Sequence, residues 1–88
     1  MLTIWKFPPY PEKRLSEINV PADARLLCAH EQKDVACLWF EVEPKSRLVV
    51  RRFAMTMTGE SPPKPPASYV GTAFLFGGDL VIHIYELL

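Results

Sequence analysis

Residues 69–87, YVGTAFLFGGDLVIHIYEL, decide the class of fold. Two runs of strand-forming residues flank Gly77-Gly78-Asp79, and a loop of that composition supplies the positive φ angles a tight hairpin needs. On the second arm Leu80, Ile82 and Ile84 share one face, while Val81, His83, Tyr85 and Leu87 share the other. Neither face is polar. A strand of this kind is buried on both sides or ends in an interface. The stretch therefore predicts antiparallel strands over 69–76 and 80–87 joined by a tight turn.

Upstream, the same alternation recurs between turn signals. Residues 2–7 (LTIWKF) read as a strand stopped by Pro8, Pro9 and Pro11, since proline cannot donate to a sheet ladder. Residues 13–20 (KRLSEINV) read as a short strand closed by Pro21, although Leu15, Glu17 and Ile18 would also fit a helical turn. Residues 24–32 and 35–43 flank Lys33-Asp34, a polar two-residue break that suggests a hairpin. Pro44-Lys45-Ser46 supplies the next turn and leads into a strand over 47–58. Residues 59–68 (GESPPKPPAS) hold four prolines in ten, which predicts an exposed, stiff loop. Six or seven antiparallel strands with turns every 8–12 residues or so predict an all-β domain over 1–88. It would be a small β-sandwich or a partly closed barrel, and the pattern leaves closure open.

Composition narrows the functional classes. With 88 residues there is room for one small domain. A hydrophobic share of 49% is too high for a wholly disordered chain. Ten basic residues cancel ten acidic ones, unlike a general nucleic-acid binder. Two cysteines do not make a disulfide scaffold. No apolar run approaches the roughly 20 residues of a membrane-spanning helix. The opening Met-Leu-Thr-Ile-Trp-Lys also lacks the basic-then-apolar pattern of a signal peptide. The expectation is a soluble domain with no membrane contact.

Catalytic and metal chemistry find little support. A two-residue turn at Lys33-Asp34 places Cys37 opposite His30 and Cys28 opposite Trp39, which favours two reduced thiols over a disulfide. Cys28, His30 and Cys37 offer three potential zinc ligands, but without CxxC or HxxxH spacing or a fourth ligand. A cysteine nucleophile needs an activated thiol in a cleft, which mid-strand positions rarely supply. Glu41 and Glu43 share a strand face, as carboxylates at a solvated edge do, and Gly77-Gly78 reads as a turn rather than a phosphate cradle. The expectation is no cofactor, no metal and no enzymatic activity.

Lys45, Arg47, Arg51 and Arg52 form the one basic block, suited to an acidic partner surface, less so to a phosphate backbone, or to a solvated turn neutralised by Glu41 and Glu43. Trp39 lies on the parity opposite Leu38, Phe40 and Val42. It is either an exposed interface anchor or a residue covered by a sheet that closes on itself. Tyr10, within Pro8-Pro9-Tyr10-Pro11, is a second anchor or a loop residue over the end of the core. The candidate interaction residues are thus Trp39, Arg47, Arg51, Arg52 and Tyr10. Met55 and Met57 read as ordinary core filling.

Several stretches taken together carry a resemblance. They are Ile4-Trp5-Lys6-Phe7-Pro8, Val20-Pro21-Ala22-Asp23-Ala24-Arg25-Leu26-Leu27, Cys37-Leu38-Trp39, Thr58-Gly59, Tyr69-Val70-Gly71-Thr72 and Gly77-Gly78-Asp79-Leu80-Val81-Ile82-His83. In this order they resemble a family of short, uncharacterised proteins carried by bacteriophages and prophages. The proline loop and Arg51-Arg52 depart from that pattern. The resemblance implies a small phage-encoded accessory protein in the bacterial cytoplasm, of a kind that binds and modulates a host or defence protein. The two-sided hydrophobic strands add the expectation of a homodimer beside that of a monomer. The competing expectation is a self-associating assembly module, either a virion accessory or a homo-oligomeric scaffold.

Overall fold

The structure, a computed structural model, describes residues 1–8 and 14–88. Among these the chain forms seven strands: β1 (Thr3–Phe7), β2 (Leu15–Pro21), β3 (Arg25–Gln32), β4 (Val35–Val42), β5 (Leu48–Met57), β6 (Ala67–Leu75) and β7 (Leu80–Leu87). They pair antiparallel in two sheets, β1-β4-β3 and β2-β5-β7-β6, which pack as an open sandwich. The all-β reading holds, and the ambiguous segment around Leu15 is a strand.

Turn chemistry sets the register. Lys33 and Asp34 both take positive φ (52° and 60°), the geometry of a two-residue turn whose twist matches the flanking strands. The side chain of Glu31 accepts the Asp34 N–H at 2.8 Å and steadies it. His30 accordingly lies opposite Cys37 and Cys28 opposite Trp39, as the turn length requires. The β6–β7 connection is one residue longer than the Gly-Gly-Asp motif suggests. Leu75 faces Leu80, and Phe76 joins the loop at φ 51°. Its N–H is donated to the Asp34 carboxylate at 2.8 Å, so one hairpin tip latches the other. β6 also starts earlier than expected: Ala67 and Ser68, assigned above to the proline loop, pair with Leu87 and Glu86.

The inward parity of each strand builds the core. Ile18 and Val20 from β2, Leu38, Phe40 and Val42 from β4, Phe53 and Met55 from β5, and Ile82 and Ile84 from β7 are all buried. Phe7, Phe40 and Phe53 run edge to face through it, with centroids 5.5 and 6.2 Å apart. Such pairs each add about 0.5–1.5 kcal/mol beyond burial, and Phe40–Phe53 ties the two sheets together.

Along one side the sheets nearly meet, β3 lying beside β6. A Cβ on Gly71 would sit 3.2 Å from the Cβ of Ala29, so a side chain there would wedge the strands apart. Both strands carry a bulge, between Leu26 and Cys28 and between Tyr69 and Gly71. Each bulge interrupts its ladder and reverses which face the flanking residues take. β3 pairs with β4 and β6 with β7, so the sandwich does not close into a barrel.

Candidate functional site

Arg51 and Arg52 are neighbours in sequence and lie on opposite sides of the four-stranded sheet. Arg51 shares the inward parity of Val49 and Phe53. Its Nε and Nη2 donate to both carboxylate oxygens of Glu86 at 2.6 and 2.7 Å, and its Nη1 donates to the Ala24 carbonyl at 2.7 Å. The guanidinium lies 5.0 Å from the Phe40 ring centroid. Side-chain exposures of 23% for Arg51 and 15% for Glu86 make this an internal strut linking β5, β7 and the segment before β3. A fork geometry suits arginine to that role.

The expected basic patch therefore does not assemble. Arg52 is exposed on the outer face, opposite Glu17 on one side and Leu87 on the other. Arg47 is exposed in the turn before β5, where its carbonyl accepts the Ala22 N–H at 2.7 Å. Trp39 sits half-buried on the outer face of the other sheet, between Lys6 and Cys28. Trp39 and Arg52 thus look out from opposite sides of the sandwich. Tyr10 lies outside the described residues.

Polar links dominate the outer face of the three-stranded sheet. The Lys6 ammonium donates to the Gln32 side chain at 2.6 Å, and Arg25 pairs with Glu41 at 3.6 Å. Lys6 stands opposite Trp39 and Gln32 opposite Val35, so the Lys6–Gln32 link spans the intervening Cys37. That explains why Cys37 is only 3% exposed on an outward parity, and burial pushes its thiol pKa up. Desolvation of this kind makes a thiol inert rather than nucleophilic. Cys28 is exposed.

The outer face of the four-stranded sheet is built differently. Across it, Leu15, Ala54, Tyr85 and Tyr69 form one row, and Val81 and Phe74 another. Phe74 is 61% exposed, Tyr69 59%, Val50 58% and Leu15 49%. The β6 bulge matters here. By simple alternation Tyr69 would share the inward parity of Gly71 and Ala73, and the extra residue turns it outward instead. Tyr69 and Tyr85 then meet edge to face at 5.6 Å.

Between these rows runs a polar chain. His83 Nε2 bonds the Thr58 hydroxyl at 2.8 Å, His83 Nδ1 bonds that of Thr72 at 3.0 Å, and Tyr69 OH meets Thr72 at 2.6 Å. The chain borders a shallow cleft of about 220 Å³ whose lining includes Thr56, Glu60, Pro62 and Tyr85. With hydroxyls on both ring nitrogens, His83 is held in place rather than left available as a base. At the cleft rim Arg14 grips the Glu60 carboxylate with two N–H groups, and Glu60 also accepts the Met57 N–H at 2.8 Å. These bonds hold the Glu60 carboxyl at about 2.

Sequence reasoning missed Tyr69, Phe74, Leu15 and Val50 as candidate contacts. The signal for them was the apolar second parity of residues 81–87, extended to the strands that pair with it. Among the described residues no helix is long and apolar enough to cross a membrane. No curated protein and no solved structure matches the chain. A domain family of unknown function (DUF7352) does match, over residues 1–88, and the chain belongs to that family.

Proposed function

We propose that the protein is a small, non-enzymatic accessory module that acts by binding another protein, with the outer face of the four-stranded sheet as its docking surface. One observation carries this reading. Phe74, Tyr69 and Val50 are more than half exposed and Leu15 nearly so on a single sheet face, and exposed aromatic residues such as Phe74 and Tyr69 anchor protein interfaces. Glu17 and Arg52 lie opposite each other on the same face, adding specificity at its margin without a net charge. The sequence resemblance to phage and prophage proteins supplies the context: a host or defence protein of the bacterial cytoplasm as the partner. Trp39, on the far side of the sandwich, is then a secondary contact.

Affinity purification from bacterial lysate tests the reading when wild type is run beside paired variants. Tyr69→Glu with Phe74→Glu is expected to lose the retained partner, while Trp39→Ala leaves it bound. Retention by the double variant would reject the assigned face.

A further inference from the structure

Among the described residues the sandwich has four strand edges, and three are managed. β3 and β6 lie against each other and are both bulged. β2 presents Glu17 and Asn19 outward and ends on Pro21, devices that discourage further pairing. β1 differs. It pairs with β4 without a bulge over five consecutive residues, Thr3 opposite Val42 through Phe7 opposite Leu38. Its side chains include Ile4 at 59% exposure and Trp5 at 36%. A lysine often blunts such an edge, but Lys6 is drawn back across its own sheet to Gln32.

We propose that the β1 edge pairs antiparallel with β1 of a second copy, about a two-fold axis through Trp5. Trp5 is the middle of the strand, so this axis lets all five residues pair, whereas any other leaves some unpaired. In this register Trp5 faces Trp5 of the second copy, beside the buried Phe40 of each chain, and an aromatic row continues the core across the junction. On the outer face Ile4 stands opposite Lys6 of the second copy. Glu41 is opposite Ile4 on the other side, two strand spacings or about 9–10 Å from that lysine's backbone. The ammonium can reach the Glu41 carboxylate over Ile4 and share it with Arg25, which pairs with it loosely at 3.6 Å, and a carboxylate is a stronger acceptor than the Gln32 amide it leaves. This charge match favours a second copy of the chain over an unrelated peptide. The product is a six-stranded sheet, β3-β4-β1-β1-β4-β3, with the aromatic face of each four-stranded sheet left free. The pairing thus extends beyond the partner-binding reading and can fail without it.

An interface of one strand pair is small, so the dimer should be weak and should populate toward high protein concentration. Sedimentation equilibrium from about 10 µM to about 1 mM tests it on wild type, Ile4→Lys, Ile4→Glu and Phe74→Glu. Ile4 and Phe74 are exposed, so Ile4→Lys, which faces Glu41 within its own sheet, and Phe74→Glu should keep the wild-type unfolding midpoint, whereas Ile4→Glu sets a like charge opposite Glu41 and should lower it slightly. Ile4→Lys sets like charges opposite each other and should weaken the dimer at least about tenfold. Ile4→Glu faces Lys6 and should retain it, with a stronger dependence on salt, and Phe74→Glu should leave it unchanged. A wild type that stays monomeric throughout overturns the proposal. So does an equal response to Ile4→Lys and Ile4→Glu, or a dimer lost only in Phe74→Glu.

Discussion

On the outer face of the three-stranded sheet Lys6 reaches Gln32, Arg25 pairs with Glu41, and Cys37 is sealed beneath. On the outer face of the four-stranded sheet Phe74, Tyr69, Val50 and Leu15 stand in solvent around a single polar chain centred on His83. Both sheets give their inward parity to the same core. The first face is bridged by polar links and leaves Ile4 and Val35 exposed near its edges, while the second leaves a broader apolar area that folding does not use. A chain in which about half the residues are hydrophobic thus divides them between a core, one broad outward surface and the β1 edge.

The sharpest way to break that contrast uses two residues of one type. Phe53 is fully buried between the sheets, and Phe53→Ala should cost about 3–5 kcal/mol in urea unfolding. Phe74→Ala on the outer face should stay within about 0.5 kcal/mol. Comparable losses at both positions would mean that the outer face is part of the folding core.

Next in size is the adjacent arginine pair. Arg51→Ala removes the fork on Glu86, leaves that carboxylate half-buried without its partner, and strips the cation from Phe40. Partial exposure places the cost at the lower end of the buried range, roughly 3 kcal/mol. Arg52→Ala should shift the unfolding midpoint barely, while altering partner binding if the outer face is the docking surface.

The parity that separates these two arginines is written in the sequence. Arg51 alternates in step with Val49, Phe53 and Met55, and Arg52 with Thr56. Reading them together as one basic block followed composition and overlooked alternation. The central register was legible because a two-residue turn allows one pairing, which put Cys28 opposite Trp39. The bulges were not legible. The one local mark in Tyr69-Val70-Gly71 is the isolated glycine, which signals a bulge or a close approach without saying which, and only the passage of β6 beside β3, where Gly71 meets Ala29, shows both. With that one residue unseen, Tyr69 counts toward the inner face and the aromatic surface disappears from the reading.

The smallest effect concerns the rim of that surface. Glu60 has its carboxyl lowered from 4.5 to about 2, chiefly by the Arg14 hydrogen bonds and then by the Met57 N–H. A group depressed in the folded state contributes stability above its unfolded value and loses it as pH falls through the folded one. The contribution is therefore full above about pH 5 and fades toward pH 2. Thermal unfolding of Glu60→Gln should show a shallower acid limb than wild type and the same slope above pH 6. The exposure of the pair keeps the difference small. An unchanged acid limb would mean that the Arg14–Glu60 clamp does not persist in solution.

Site-specific photocrosslinking in bacteria tests the central claim most directly. Phe74→p-benzoylphenylalanine and Trp39→p-benzoylphenylalanine place the same reactive group on the two outer faces. The expected result is a discrete protein adduct from position 74 and little or none from position 39. An adduct from position 39 with none from position 74 would contradict the assignment of the aromatic face as the docking surface.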